Sequence, residues 1–408
     1  MKDQPASTVS GLPSSDGSVA LCNTGRRPSP IQQFVLKVYS RCNLACDYCY
    51  VYQMADQSWR QRPLAMSPGT VELVADRIAQ HAEQHGLLLV GIVLHGGEPL
   101  LAGEAFFAAT ARTLRERLPA TTAVTLALQS NGVLLTEPML DVLGEHGIQV
   151  AVSIDGTPAG HDGHRRYPSG RGSYADVERG LALLNTGPYR DLFAGLLCTV
   201  DLTQDPVATY ENLLRFRPPR MDFLLPLGNW SARPPGRTED PADTPYADWL
   251  GAVFDRWYSA PEQETQLRLF REIIHLLLGG VSHFEGVGLA PTSVAVVEAD
   301  GSIEQTDALK SAHHGAADTG LHLATNSFDD LLAHPAVVAR QSGLLALADQ
   351  CRQCPVHRVC GGGFYPHRYK AGSGFRNPSV YCPDLLALIG RINRRLDSDL
   401  RRLRGTVG

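Results

Sequence analysis

From residue 31 onward the chain alternates short apolar runs with longer segments of helical period, and few architectures accommodate that alternation. The runs are FVLKVYS, GIVLHGG, VTLALQSNG, QVAVSIDG, FAGLLCTVD and MDFLLPLGN, and helix-period segments lie between them near 68–85, 104–117, 136–146, 174–185 and 206–216. Strands buried on both faces read as near-continuous apolar runs, and parallel pairing needs a crossover that a helix supplies. Six such units are too few to close an eight-stranded barrel. The expectation is an α/β fold built on an open, partial (β/α)6 TIM-like barrel.

Polar and glycine-rich residues gather where these strands end: cysteines after the first, Gly96-Gly97-Glu98-Pro99 after the second, Ser130-Asn131-Gly132 after the third, Ser153 and Asp155 at the fourth. That rim is where parallel barrels build active sites. At 408 residues the chain exceeds one core, so a second module is expected. The division predicted is a disordered Ser/Gly/Pro-rich tail over 1–30, a barrel over 31–230, a connector with helices over 231–289 and a C-terminal domain over 290–408. That last domain should carry a hairpin turning at Asp300-Gly301 and end in a helix with an arginine-rich face.

Composition narrows the partners. A formal charge of -5 with 19% charged residues leaves no electrostatic case for nucleic acid, and no apolar run approaches the roughly 20 residues of a membrane span. The N-terminus lacks a secretory arrangement, so a cytoplasmic protein is expected. In that reducing compartment, nine cysteines in clustered spacings point to metal or redox chemistry rather than disulfides.

Cys42, Cys46 and Cys49 form a C-x3-C-x2-C group, one ligand short for a tetrahedral zinc and one cysteine short for a four-iron cubane. An iron without a protein ligand is an open site for a cosubstrate, whereas a zinc knuckle would need a distant fourth ligand. Downstream, Cys351, Cys354 and Cys360 precede Gly361-Gly362-Gly363, and Cys382 comes after a gap. Four thiolates suit either a cubane or a zinc. Cys22 and Cys198 stand outside both groups; the latter reads as a buried small hydrophobe.

The first group, with Tyr48 before its third cysteine and Gly96-Gly97-Glu98-Pro99 downstream, resembles the radical SAM superfamily. The second resembles the C-terminal SPASM domain of peptide-modifying radical SAM enzymes, with Phe364 and Thr306 standing where two cysteines are usual. The likeness implies a [4Fe-4S] cluster on Cys42, Cys46 and Cys49 that binds S-adenosylmethionine. It implies one auxiliary [4Fe-4S] cluster on Cys351, Cys354, Cys360 and Cys382, and no second auxiliary cluster. Cosubstrate contacts fall to Tyr48, Gly96, Gly97, Glu98, Asn131, Ser153, Asp155 and Arg165. Asp307 matches a position where relatives carry a proton-accepting aspartate.

Within the superfamily, CNLACDYCYVY, LHGGEPL, EQTDALK, CPVHRVCGGGFYPHRY and NPSVYC look most like FxsB-type maturases. That likeness implies a ribosomally synthesised precursor peptide as substrate, a flavodoxin- or ferredoxin-like external electron donor, and a cyclophane link between an aromatic ring and a Cβ. The cross-link would form after removal of the Cβ hydrogen by a 5'-deoxyadenosyl radical. The alternatives are a thioether-forming or formylglycine-forming enzyme and, outside catalysis, a metal-stabilised peptide-binding scaffold.

Overall fold

The structure, a computed structural model, describes residues 28–405. The first 27 residues, which hold most of the expected tail and Cys22, lie outside the described residues.

Each apolar run forms a strand: β1 (Gln33–Tyr39), β2 (Leu89–Gly96), β3 (Ala123–Ser130), β4 (Ile148–Ser153), β5 (Phe193–Thr199) and β6 (Arg220–Leu224). They pair in parallel in chain order, as a βαβ series requires. The connecting helices are α1 (Pro68–His85), α2 (Glu104–Arg117), α3 (Glu137–Glu145), α4 (Pro158–His164), α5 (Tyr174–Leu184) and α6 (Pro206–Leu214). Local chemistry sets their ends. For α1, the Ser67 side chain caps the Thr70 amide, Pro68 occupies the first turn and Gly86 closes the helix in the left-handed region at φ 60°.

Beyond β6, helix α7 (Pro245–Tyr258), the two-residue β7 (Gln266–Leu267) and α8 (Arg268–Leu277) extend the layer on that edge. On the other edge, β8 (Val294–Val297) runs parallel to β1, and β9 (Ser302–Glu304) turns back antiparallel to β8 through Asp300-Gly301. A strand that no apolar run announces, β10 (Asp318–His322), pairs with β9 and completes a ten-stranded sheet in the order β10-β9-β8-β1-β2-β3-β4-β5-β6-β7. The hairpin is therefore continuous with the barrel sheet, and the residues after β9 arrive beside the mouth.

One apolar core joins the strand interiors to the inner faces of the helices, and includes Leu385, Leu388, Ile389, Ile392 and Leu396 of the C-terminal helix Cys382–Gly405. Asp384, in the first turn of that helix, accepts hydrogen bonds from the Tyr246 and Ala247 amides at the start of α7, 2.9 and 3.1 Å. Cys382 is thus held by a helix bolted to the back of the barrel. Among the described residues no helix is long and apolar enough to cross a membrane.

Candidate active site

The loop leaving β1 carries Cys42, Cys46 and Cys49, and each thiol is free of any disulfide. Glycines admit this loop. A Cβ on Gly97 would collide with the Arg41 carbonyl and the Tyr52 hydroxyl, and one on Gly96 with the Tyr39 carbonyl. Glu98, fully buried, then ties the ends of β2 and β3 together. One carboxylate oxygen accepts from Ser130 Oγ at 2.8 Å and the Leu100 amide at 3.0 Å, and the other accepts from the Asn131 amide at 2.8 Å. Of roughly four lone-pair positions on a carboxylate, one is left on the second oxygen. Asn131 in turn donates to Asn43 Oδ1 at 2.8 Å and approaches Cys42 Sγ at 3.7 Å.

On the opposite wall Tyr48 links two side chains that the sequence alone leaves unconnected. Its hydroxyl is hydrogen-bonded to Asp155 and accepts from Arg165 Nη1 at 2.8 Å. Asp155 also accepts from the Thr199 amide at 3.0 Å, which pins it to β5. Arg165 Nε is buried without a partner, a donor awaiting an acceptor. Ser153 accepts from Gln129 of β3 at 2.9 Å and lines the same rim.

Burial pushes the Cys42 thiol up to about 12, and Glu98, Cys46 and Cys49 add to the rise. Burial also raises Cys46, against the pull of Arg165. Thiols held this way ionise against bound metal rather than water. Three soft donors on one loop, a carboxylate with a spare lone pair and an unpartnered guanidinium N–H fit an iron–sulfur cluster with one open iron and a zwitterionic nucleoside cosubstrate. The fit requires no further cysteine.

Asp307, three residues beyond β9, reaches the same mouth. Its Oδ2 accepts from Lys37 Nζ at 2.8 Å and from Tyr50 Oη at 2.7 Å, and Lys37 Nζ lies 3.1 Å from His95 Nδ1. Burial alone would raise this carboxyl, but Lys37, His95 and the Tyr50 hydrogen bond hold it well below the usual carboxylate range. His95 is lowered to about 4 by burial and by Lys37, so it is neutral at pH 7. Lys37 and His95 are register partners on β1 and β2, and Tyr50 directly follows Cys49. The sequence motifs point to Asp307 but not to Lys37, only 2% exposed within an apolar run, nor to Tyr50.

The second thiol group is a separate site. Cys351 and Cys354 flank the end of one short helix, Cys360 ends the next, and Cys382 opens the C-terminal helix. All four are free. Burial pushes Cys360 up to about 12, helped by Cys382 and Cys351, and Cys382 to about 11, helped by Cys351 and Cys354, so these sulfurs lie within electrostatic reach of one another. Four free thiols on neighbouring segments supply the ligand set of a fully ligated cubane.

Open partial barrel, three-thiol loop and glycine-admitted rim meet at one mouth, and residues 36–197, which hold the loop, the rim and most of the barrel, match the family model of the Radical SAM superfamily. A cysteine-type anaerobic sulfatase-maturating enzyme of Clostridium perfringens is 24% identical over 349 residues, 82% of this chain and 88% of its own. A serine-type anaerobic sulfatase-maturating enzyme of Klebsiella aerogenes is 24% identical over 389 residues, 93% of this chain and 91% of its own. The solved structure of native anSMEcpe with bound AdoMet and Cp18Cys peptide superposes with a TM-score of 0.75 at 22% identity, covering 92% of this chain and all of the other. The cysteine-rich C-terminal region fits a SPASM-type domain.

These relatives overturn the expected cyclophane cross-link and favour the formylglycine-forming alternative. The reason is physical. The quoted motifs speak to cofactor and cosubstrate chemistry, and one such chemistry serves many outcomes; the product depends on the substrate side chain, which the motifs do not encode.

Proposed function

We propose that this protein is a peptide-modifying radical SAM oxidoreductase that oxidises a cysteine or serine side chain of a protein-derived peptide to formylglycine. The observation that carries the reading is the setting of Asp307: an ionised carboxylate, hydrogen-bonded by the residue after Cys49 and by Lys37 on the strand that feeds the cysteine loop. The maturase relatives match along more than four-fifths of this chain and support the choice of product.

In this reading Cys42, Cys46 and Cys49 hold the cluster that binds S-adenosylmethionine, and Cys351, Cys354, Cys360 and Cys382 hold the auxiliary one. When bound, these groups supply a radical that removes one hydrogen atom from the peptide Cβ, and an acceptor for one electron. The chain supplies the rest. Glu98 and the glycine-admitted rim receive the methionyl ammonium, and Asn131 steadies the cysteine loop. Tyr48, Ser153, Asp155 and Arg165 line the wall for ribose and carboxylate.

Asp307 takes the hydroxyl or thiol proton once the Cβ hydrogen is gone, and a cluster on the four-cysteine site would supply the acceptor for the accompanying electron. Serine then becomes the aldehyde directly. Cysteine becomes a thioaldehyde, and water replaces its sulfur as hydrogen sulfide. Lys37 stabilises Asp307 as the carboxylate before the proton arrives.

The proposal extends to a barrel over 31–230, a connector over 231–289 and an auxiliary domain over 290–408, with a flavodoxin- or ferredoxin-like donor and a cytoplasmic setting for the free thiols. The FxsB-type likeness is kept as a grouping by motif and carries no product. The test is anaerobic incubation with S-adenosylmethionine, reductant and peptides bearing a cysteine or serine, read by mass and by capture with a hydrazide. A hydrazide-reactive product and 5'-deoxyadenosine are expected. A peptide lighter by two hydrogens that resists the hydrazide sinks the reading.

A further inference from the structure

We propose that Arg368 is the electrostatic partner of the four-cysteine site and raises the potential at which the cluster there accepts an electron. The inference rests on the assignment of an auxiliary cluster to Cys351, Cys354, Cys360 and Cys382.

Arg368 is 8% exposed, and among the described residues no carboxylate forms an ion pair with it. Neighbouring cations are neutralised: Arg340 by Glu285 at 2.6 Å and Arg237 by Asp384 at 3.3 Å. A guanidinium buried without an anion is costly, so it calls for a counter-charge in its surroundings. Around Arg368 lie the Tyr365 phenol and the sulfurs of Cys360 and Cys351, and the two thiols become its counter-charge when they ionise onto a bound metal.

The loop after Cys360 is shaped to hold it there. Gly361, Gly362 and Gly363 are all left-handed, at φ 60°, 79° and 69°. That run turns the carbonyls of Gly361 and Gly363 onto the guanidinium, 2.6 and 2.7 Å from Nη2. It also leaves the Gly362 amide hydrogen-bonded to Cys360. One turn therefore presents an N–H to a thiolate and two carbonyls to a cation. The Tyr365 ring, 5.5 Å from the guanidinium carbon, closes its other side.

Adding an electron adds a negative charge to a cluster on four thiolates. A buried cation and an amide aimed at a sulfur both stabilise that reduced form, which raises its potential. In the proposed reaction one electron leaves the peptide radical as its proton goes to Asp307. A cluster held by the four cysteines would take up that electron, leaving the peptide carbon closed-shell with a new carbon–oxygen or carbon–sulfur double bond.

The experiment is an anaerobic redox titration followed by EPR on reconstituted full-length protein, without S-adenosylmethionine or peptide, so that its outcome is independent of the product assignment. R368Q is expected to lower the midpoint of the four-cysteine cluster by about 59 mV or more, a tenfold change in its one-electron equilibrium. R368K should fall between R368Q and the wild type, and the midpoint of the three-cysteine cluster should stay put. Should R368Q fail to retain iron, L347E leaves the arginine in place. Leu347 and the Arg368 guanidinium both border Gly362, so the new carboxylate would neutralise the cation and lower the midpoint. An unchanged midpoint in iron-replete R368Q or L347E, or equal shifts in R368Q and R368K, overturns the proposal.

Discussion

Glu98 accepts three hydrogen bonds from two strand ends while buried among the elements that frame the mouth, so its substitution has a defined cost. E98Q turns one acceptor into a donor facing N–H or O–H groups. We expect a loss of about 1–3 kcal/mol at that corner, and weaker retention of the three-cysteine cluster, measured as iron per chain and thermal midpoint. At Asp307 the sign of the pH effect is set by its partners. The carboxyl is depressed in the folded protein, so its contribution to stability is present above the ordinary aspartate range and is lost as pH falls below it. Removing Lys37 in K37M leaves burial in command, so the carboxyl rises. The acid limb of the pH–rate profile should then move up by about a unit or more, while iron content holds. Asp307 was legible because it lies just past a recognisable hairpin. Lys37 was not, because a lysine inside an apolar run discloses its partner only when residue 307 arrives beside it.

The elements obey the same logic. Strands β1 to β6 and their long helices were legible as apolar runs and helical period, since burial on both faces leaves that mark. β7 is two residues long and β10 reads DTGLH, so neither carries a hydrophobic signature; the free edge of a neighbouring strand makes them strands. Helix α4, PAGHDGH, has glycines and histidines where a periodic face would be, and is fixed by its Thr157 cap and by packing instead. The cysteine loop is where element geometry is least forgiving. G97A would drive a methyl into the Arg41 carbonyl, so iron should fall from about eight to about four per chain, the remainder at the four-cysteine site. Retention of about eight irons in G97A would mean that the loop does not need this close approach.

Across the whole molecule, the sheet runs from β10 to β7 without a break, although β1 and β8 lie some 260 residues apart in the chain. No local pattern announces such a pairing, which is why the hairpin was foreseen and its seat beside β1 was not. Global stability should carry the mark of buried neutral histidines. Burial lowers His161 and His367 to about 3, so the unfolded chain binds more protons below pH 6.5. Stability should therefore fall as pH drops from about 6 toward 4, by roughly 1.4 kcal/mol per unit for each histidine, in anaerobic thermal unfolding. The central claim is that one mouth brings the radical source and Asp307 to the same peptide carbon. The most direct test is label transfer: a peptide with deuterium at the Cβ of its cysteine or serine, incubated anaerobically with S-adenosylmethionine and reductant. The account predicts deuterium in 5'-deoxyadenosine together with an aldehyde on the peptide; unlabelled 5'-deoxyadenosine beside a modified peptide would contradict it.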